Sequence, residues 1–221
     1  MKLAVLFSGG KDSCLALFKA KDQGHDIKYL LSIIPSSYDS YMYHKPSLKL
    51  LKRQAKELAI PLIMQKSSAG KEKELKDLEK LLKKVKDKVE ALVIGGIASN
   101  YQGERIKKLA EKQGLKVISP LWTYNPEKLW QELLKNKFKV IITKIACDGI
   151  PKEMLGKVIG KEELQKLKTL SQKYKFDLSF EGGDAETAVL FCSLFKKEIN
   201  LKTEIKTESK YRHFLIIKKV I

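Results

Sequence analysis

Short apolar runs alternate with segments of helical length through the first half of this 221-residue chain. A strand covered by helices on both faces has such a nearly continuous apolar run, and βαβ units arrange these strands in parallel. The chain therefore predicts a five-stranded parallel sheet with flanking helices, a Rossmann-like α/β fold. The predicted strands are residues 3–7, 27–34, 61–64, 91–94 and 117–121.

Two of the segments between these runs predict helices with different surroundings. In residues 71–88, Leu75, Leu78 and Leu82 recur at spacings of three and four, so we expect one apolar face and one solvated face of Lys and Glu. The segment after the first run is apolar nearly all round and should be buried against the sheet. Cys14 lies in that segment, and we interpret it as a core residue rather than a nucleophile.

The pattern changes after Pro120, where it predicts two helices, one buried strand and a terminal hairpin. The helices are residues 127–136 and 162–174, the strand is 140–145, and the hairpin lies within 191–221 and turns within 207–210. We therefore expect a nucleotide-binding α/β domain over residues 1–121. Residues 122–221 should form a smaller α+β part that binds the substrate.

Basic residues dominate the charge, since 44 Lys and Arg against 26 Asp and Glu give a net charge of +18. Such a surplus attracts phosphate backbones. Arginine, which reads bases through bidentate contacts, is scarce, with only Arg53, Arg105 and Arg212 in the chain. We interpret the surplus as a lysine-rich composition of the kind found in hyperthermophiles, and we do not expect tRNA recognition.

The cysteines and the hydropathy pattern bear on the compartment. Cys14, Cys147 and Cys192 are odd in number and form no Cys-x-x-Cys pair, which argues against a disulfide framework and a thiolate zinc site. No apolar run reaches the roughly 18 residues that a membrane span needs. We expect a soluble cytoplasmic protein without membrane association. The oligomeric state stays open, and a homodimer is compatible with the sequence.

The most informative motif is SGGKDS, residues 8–13, which follows the first predicted strand and is called the cradle loop below. Its glycines, Gly9 and Gly10, allow a tight turn that brings N–H groups to an anion, and the following helix adds its positive N-terminal end. Lys11 adds a charge and Asp12 can hold Mg²⁺ or orient an amide, and we expect both in an exposed loop. The flanking serines add hydroxyl donors. The motif predicts a pyrophosphate cradle and matches neither G-x-x-x-x-G-K-[ST] nor G-x-G-x-x-G.

A second glycine-containing motif, EGGDAET, is called the acidic segment below and comprises residues 181–187. Glu181, Asp184 and Glu186 repel one another unless a cation is near, such as Mg²⁺, ammonium or a quaternary ammonium group. On composition alone, a solvated acidic loop is the simpler interpretation. Because the acidic segment is distant in sequence from the cradle loop and would repel phosphates, we expect it to serve a cationic group rather than the nucleotide.

A third group of residues follows the fourth predicted strand, at the end where ligands of open α/β sheets bind. Gly95 and Gly96 follow this strand. Arg105 is three and four residues from Gln102 and Tyr101, so the three share one helix face. Arg105 is either a clamp for a phosphate or carboxylate or a surface residue.

Trp122 and His44 carry weaker signals. Trp122 follows Pro120 and fits the core as well as a site. His44 follows the second strand region and fits either a nucleotide contact or a structural role.

The cradle loop resembles the PP-loop of the adenine-nucleotide α-hydrolase-like (HUP-type) ATP pyrophosphatases, which split ATP into AMP and pyrophosphate to adenylate a substrate. Further blocks, in order over nearly the whole chain, resemble the diphthine–ammonia ligase family of archaeal type. These blocks are YMYH at 41–44, GKEKE at 70–74, IASNYQGERI at 97–106, PLW at 120–122, LGK at 155–157 and the acidic segment. The chain departs from the family pattern at Lys157, Asp184, Ala185 and Ser193. We expect the chemistry to be preserved because Glu186 and Thr187 are intact.

The resemblance implies an ATP-dependent ligase that joins ammonia to diphthine, a modified histidine of elongation factor 2, with ATP and Mg²⁺. The catalytic residues implied are Lys11, Asp12, Glu181, Asp184 and Glu186, with Asp12 also on the metal. The nucleotide-binding residues implied are Ser8, Gly9, Gly10, Lys11, Asp12, Ser13, His44 and Gly95. The substrate-binding residues implied are Tyr43, Tyr101, Gln102, Arg105, Trp122, Glu181, Gly182, Gly183 and Thr187.

Two other functions stay open on the sequence. A tRNA-modifying PP-loop enzyme would use the same adenylation, although the chain has no cysteine pair for sulfur transfer. A non-catalytic ATP-binding sensor with the same fold is the other alternative, although the acidic segment would then have no function.

Overall fold

The computed structural model describes residues 1–35, 47–67, 71–96 and 100–221. By its contacts, the chain divides into two units. The first unit comprises Met1–Ser8 and Asp12–Thr123, and the second comprises Gly9–Lys11 and Tyr124–Ile221. Three residues of the cradle loop therefore group with the second unit.

The first unit contains a five-stranded, all-parallel sheet in the order β3-β2-β1-β4-β5. The predicted α/β fold is confirmed, and each of the five apolar runs overlaps a strand. The elements are β1 (Lys2–Leu6), α1 (Lys11–Asp22), β2 (Asp26–Pro35), α2 (Leu48–Leu58), β3 (Leu62–Ser67), α3 (Lys71–Lys83), β4 (Ala91–Val93), α4 (Asn100–Lys112) and β5 (Lys116–Ile118).

The core of this unit explains why the apolar runs are continuous. Ala4 of β1, Leu31 of β2 and Leu92 of β4 are fully buried in one cluster with Leu78 and Leu82 of α3. Strands enclosed in this way need apolar side chains on both faces. Cys14 is 2% exposed within α1, so its predicted place in the core is confirmed.

The predicted helix over residues 71–88 is partly wrong. α3 ends at Lys83, and turns follow it. Its polar face is also not entirely solvated, because Glu74 is 0% exposed and Asp77 is 7% exposed. Asp77 accepts a hydrogen bond from Lys80 Nζ at 2.9 Å, so a neighbouring charge compensates its burial.

The second unit contains a four-stranded antiparallel sheet in the order β7-β6-β9-β8. Its predicted α+β character and terminal hairpin are confirmed. The hairpin turns at Lys210 and Tyr211, one residue later than expected. The elements are α5 (Pro126–Lys135), β6 (Lys139–Ile145), α6 (Lys161–Tyr174), β7 (Ala185–Phe191), β8 (Leu201–Ser209) and β9 (Arg212–Val220), with single 3-10 turns at Lys152–Met154 and Glu181–Gly183.

Strand β7 is the element that the sequence interpretation missed. The interpretation of the acidic segment as a solvated loop is wrong for its second half. Glu186 and Thr187 lie in β7, opposite Lys144 and Ile142 of β6. Pairing with a buried strand places both side chains at fixed positions.

One N-cap and one hydrogen bond from a buried tryptophan hold α5 in the second unit. Asn125 Oδ1 accepts hydrogen bonds from the amides of Glu127 and Lys128 at 2.8 and 3.3 Å, which is an N-cap. Trp130 is fully buried and donates from Nε1 to the Leu178 carbonyl at 2.8 Å. Among the helices that the structure describes, none is long and apolar enough to cross a bilayer.

Candidate functional site

The sheet order of the first unit places one end of β1 and β4 at the switch point of an open α/β fold. Such folds bind ligands outside the carboxyl ends of their strands at this point. Ser8 follows β1 and Gly95 follows β4, so the start of the cradle loop and Gly95 both lie at this edge.

Gly95 makes a close backbone approach. A Cβ atom at this position would lie 2.8 Å from the carbonyl carbon of Asp12 and from the amide nitrogen of Ser13. Real Cβ atoms do not approach backbone so closely, so this position requires glycine. A Cβ atom at neighbouring Gly96 would meet nothing within 4 Å. Gly95 therefore lets the first turn of α1 lie against the end of β4.

The two serines of the cradle loop bind each other within the first unit. Ser13 Oγ accepts a hydrogen bond from the Ser8 amide at 3.3 Å and lies 3.1 Å from Ser8 Oγ. These contacts close the loop at the start of α1, a helix of 12 residues whose N-terminal dipole favours an anion.

Within the second unit, Gly9–Lys11 contact strand β7. The Lys11 amide donates to Thr187 Oγ1 at 3.1 Å, and the Val189 amide donates to the Gly9 carbonyl at 3.0 Å. Gly9 has φ 76°, a left-handed conformation in which glycine is unstrained. The structure thus brings the cradle loop and the acidic segment into direct contact at Lys11 and Thr187.

The structure contradicts the exposed loop position that was expected for Lys11. It is the first residue of α1, and only 2% of it is exposed. Its Nζ donates to the Ser179 carbonyl at 2.5 Å and lies 5.6 Å from the ring centroid of Phe180, a cation–π distance. A buried ammonium needs such partners, since an uncompensated charge is costly in the interior. Asp12 is half-buried.

The turn that carries the Lys11 partners, Asp177–Phe180, is held by the acidic segment. Asp177 Oδ1 accepts from the amide and the hydroxyl of Ser179 at 2.7 and 2.8 Å. Asp184 Oδ2 accepts from the Asp177 amide at 2.9 Å. Asp184 therefore acts on Lys11 through this turn, which the sequence interpretation did not include.

Phe180 has a strained backbone in this turn. Its φ is 61° and its ψ is 21°, a left-handed conformation that is rare for a bulky residue and typical of functional sites. Its ring packs edge-on against Trp130 with centroids 5.8 Å apart. Sequence alone gives no signal for Phe180 or Ser179, because their contacts with Lys11 join residues 168 or more positions apart.

Glu186 forms an ion pair with Lys144. Its Oε1 lies 2.9 Å from Lys144 Nζ, and the side chains are 15% and 13% exposed. Lys144 Nζ also lies 6.0 Å from the ring centroid of Phe214. The Asp184 carboxylate affects the Cys147 thiol. Burial, and then the negative charge of Asp184, raise the pKa of Cys147 to about 11, so this thiol stays protonated at neutral pH.

The remaining predicted residues are placed as follows. Arg105 is half-buried in α4, and Trp122 is 36% exposed, with its ring 3.2 Å from where a Cβ atom of Gly103 would lie. Gly182 and Gly183 have φ of 81° and 94°. Tyr43 and His44 lie outside the described residues, as do the side chains of Tyr101 and Gln102 in α4.

Asp12 is the described residue that the sequence predicts to hold a metal ion. No three His, Cys, Asp or Glu side chains in the described ranges gather as a metal site. Mg²⁺ is commonly held by one or two carboxylates together with substrate phosphates, so a single carboxylate at the cradle loop fits this ion.

The parallel sheet, with a glycine-containing loop after β1 and a helix N-terminus at the switch point, defines a class of α/β proteins that hold anionic ligands on backbone amides. Family models then give the particular family. The diphthamide synthase N-terminal domain matches residues 1–117, and the diphthamide synthase C-terminal domain matches residues 125–221. The chain therefore belongs to the diphthamide synthase family, and the resemblance inferred from its motifs is confirmed.

Curated relatives agree with this assignment. The chain is 35% identical to the diphthine–ammonia ligase of Bos taurus, over 95% of this chain and 86% of the relative. It is 34% identical to the diphthine–ammonia ligases of Rattus norvegicus and Homo sapiens, over 92% and 90% of this chain and 84% and 82% of those relatives. A solved structure, a predicted subunit of tRNA methyltransferase from Methanocaldococcus jannaschii, aligns at 18% identity with a TM-score of 0.45, covering 90% of this chain and 100% of that one. That TM-score is too low to support a conclusion.

Proposed function

We propose that this chain is an ATP-dependent ligase that amidates diphthine on elongation factor 2 with ammonia. The observation that carries the proposal is the contact between the cradle loop and the acidic segment within the second unit, where the Lys11 amide donates to Thr187 Oγ1. A ligase of this type needs an anion site for the leaving pyrophosphate beside a site for a cationic acceptor. No finding favours a tRNA-modifying enzyme or a non-catalytic sensor.

In the first half-reaction, a carboxylate oxygen of diphthine attacks the α-phosphorus of ATP, and the bond to the bridging oxygen of pyrophosphate breaks. The backbone amides at the start of α1 and the Lys11 ammonium stabilise the charge that develops on the leaving group. We also assign nucleotide binding to the hydroxyls of Ser8 and Ser13, to the glycines of the loop, and to Gly95 and His44. Bound Mg²⁺, held by Asp12, would neutralise phosphate charge.

In the second half-reaction, ammonia attacks the acyl carbon of the adenylate, AMP leaves, and one ammonium proton passes to a base. A carboxylate suits both the binding of ammonium and the acceptance of this proton. Glu181, Asp184 and Glu186 are the candidates. Their positions differ, because Asp184 holds the Asp177–Phe180 turn and Glu186 binds Lys144, so substitution tests each role separately.

The substrate carries a trimethylammonium group, which aromatic faces bind by cation–π attraction. Trp122, Tyr43 and Tyr101 are our candidates, with Gln102, Arg105, Gly182, Gly183 and Thr187 as further substrate contacts. We assign nucleotide binding to residues 1–121 and substrate binding to residues 122–221. A cytoplasmic site of action and an archaeal origin complete the proposal.

Product analysis tests the reaction. With labelled ATP, we expect sustained turnover to AMP and pyrophosphate only when both ammonium and diphthine-bearing elongation factor 2 are present. ADP and inorganic phosphate as the main products would contradict the adenylation step. AMP formation that depends on tRNA instead, together with selective tRNA binding at physiological salt, would replace the proposal with the tRNA-modifying alternative.

A further inference from the structure

The outer edge of β8 lies open in the second unit. In the order β7-β6-β9-β8, this strand pairs only with β9 among the described residues. All residues from Lys202 to Ser209 are exposed, and Ile205 is 44% exposed. A long open edge presents N–H and C=O groups that can pair with another strand.

The side chains of β8 alternate in a particular way. One face carries Lys202, Glu204 and Lys206. Glu208 continues this alternation of charge at a bulge between Thr207 and Ser209, where its carboxylate binds Arg212. The other face carries threonines on either side of Ile205. The strand is therefore electrically neutral in a chain whose net charge is +18.

This sequence is self-complementary when two copies pair antiparallel about Ile205. Lys202 of one copy then lies opposite Glu208 of the other, and Glu204 lies opposite Lys206. By symmetry each pairing occurs twice, which gives four pairs of opposite charge. The other face brings together threonines and the two isoleucines, a combination that also favours cross-strand pairing.

Neighbouring registers lack this complementarity. A shift of two residues in one direction places Lys206 opposite Lys206 and Glu204 opposite Glu208. A shift in the other direction places Glu204 opposite Glu204 and Lys202 opposite Lys206. Parallel pairing in register also sets like charges side by side, and like charges directly opposite are destabilising. The charges thus select one antiparallel register.

Contacts within the hairpin orient the acidic members of this face. Glu204 binds Lys218 of β9 at 2.7 Å, and Glu208 binds Arg212 at 3.2 Å. The Glu204 and Glu208 side chains nevertheless remain 61% and 50% exposed, and a carboxylate accepts bonds from more than one cation.

We propose that the edge of β8 is the surface through which two copies of this chain form a two-fold dimer. Pairing would join the two four-stranded sheets into one continuous sheet. The interface is isologous, since the same strand contributes both sides. This inference is independent of the proposed reaction.

Charge reversal tests the register. In sedimentation equilibrium between about 1 and 100 μM, we expect the wild type to dimerise. Lys206→Glu sets two like-charge pairs against Glu204 and should weaken dimerisation roughly tenfold or more. The double variant Glu204→Lys/Lys206→Glu restores opposite signs and should recover the dimer. Lys166→Glu on α6 is the matched control, because it changes the net charge equally at an exposed position outside the hairpin.

Cysteine cross-linking tests the two-fold position. Ile205→Cys places a thiol opposite its own copy and should form a disulfide-linked dimer under mild oxidation. Thr203→Cys, on the same face, lies opposite Thr207 and should cross-link far more slowly. A wild type that stays monomeric to about 100 μM would overturn the proposal. So would equal effects of Lys206→Glu and Lys166→Glu, or equal cross-linking of the two cysteine variants.

Discussion

The cradle loop and the acidic segment both contain a Gly-Gly pair, yet different forces hold them. Steric fit holds the cradle loop, because Gly95 admits the backbone of Asp12 and Ser13 where any side chain would collide. Charge holds the acidic segment, through the bonds of Asp184 to the Asp177 amide and of Glu186 to Lys144. A change of volume should therefore damage the first motif, and a change of charge should damage the second in both stability and chemistry.

The largest effect is expected at Glu186 of the acidic segment. If Glu186 is the base, Glu186→Gln should lower amide formation by about 10²–10⁴-fold while ATP binding survives. The same change leaves Lys144 without its partner in a mostly buried position, so stability should fall as well. Single-turnover amidation and thermal unfolding measure the two effects separately.

A second variant separates structure from chemistry at this ion pair. Glu186→Gln/Lys144→Met removes the uncompensated charge and should restore the unfolding temperature. If amidation stays low in the double variant, Glu186 acts in the reaction. If activity returns with stability, Glu186 only positions β7, and Glu181 and Asp184 remain as candidate bases.

Lys11 tests whether the cradle loop depends on charge in addition to steric fit. Lys11→Met keeps most of the buried volume and removes the ammonium from Ser179 and Phe180. We expect adenylation to fall by about 10²–10³-fold, the range for loss of one group that stabilises a developing charge. Pyrophosphate exchange into ATP is the measurement. Wild-type exchange in a destabilised variant would instead make Lys11 a purely structural residue.

Substitutions at Gly95 and Gly96 test the steric fit that holds the cradle loop. Gly95→Ala should destabilise the protein by about 1–3 kcal/mol, because the added carbon meets backbone that cannot move aside cheaply. Gly96→Ala adds the same carbon in open space and should change stability by less than about 0.5 kcal/mol. Denaturant unfolding of both variants is the measurement. Equal losses would show that the close approach at Gly95 is not the cause.

The same contrast explains what the sequence could predict. The five strands of the first unit are readable because enclosure by helices demands apolar residues along each of them, as Ala4, Leu31 and Leu92 illustrate. The cradle loop is readable because its glycines and serines stand within six residues, whereas the burial of Lys11 against Ser179 and Phe180 is not. The sequence does not show that residue 95 must be glycine, since this requirement arises from the approach of the first turn of α1.

The acidic segment shows the opposite case. Thr187 binds an amide 176 positions away, and Glu186 binds a lysine 42 positions away. Polar residues fit in β7 because these distant partners form hydrogen bonds with their side chains. The second half of the acidic segment, which its polar composition made look like a loop, is therefore a strand. The apolar residues Ala188–Leu190, which follow it, were the available signal for a buried strand.

The smallest expected effect concerns charge in a capping contact of the same unit. Glu163, in the first turn of α6, accepts a hydrogen bond from the Gly160 amide at 3.0 Å and binds Lys157 at 2.7 Å. The hydrogen bond from Lys157, followed by bonds from backbone amides, holds the pKa of Glu163 below its usual range. A carboxylate with a lowered pKa in the folded state stabilises the protein above its unfolded-state pKa, near 4.5, and this stabilisation is lost as the pH falls through the lower folded value.

Glu163→Gln should therefore lower stability by about 1 kcal/mol near neutral pH, a shift of about 2–4 °C in Tm. The difference from the wild type should shrink as the pH falls below about 4.5, because protonation removes the same charge from the wild type. Glu162→Gln removes an equal charge from the same helical turn at an exposed position, so its effect should be smaller at every pH. If the two variants follow the same curve, the helix dipole rather than the contact with Gly160 and Lys157 accounts for the stabilisation, and charge in this unit acts less locally than at Glu186.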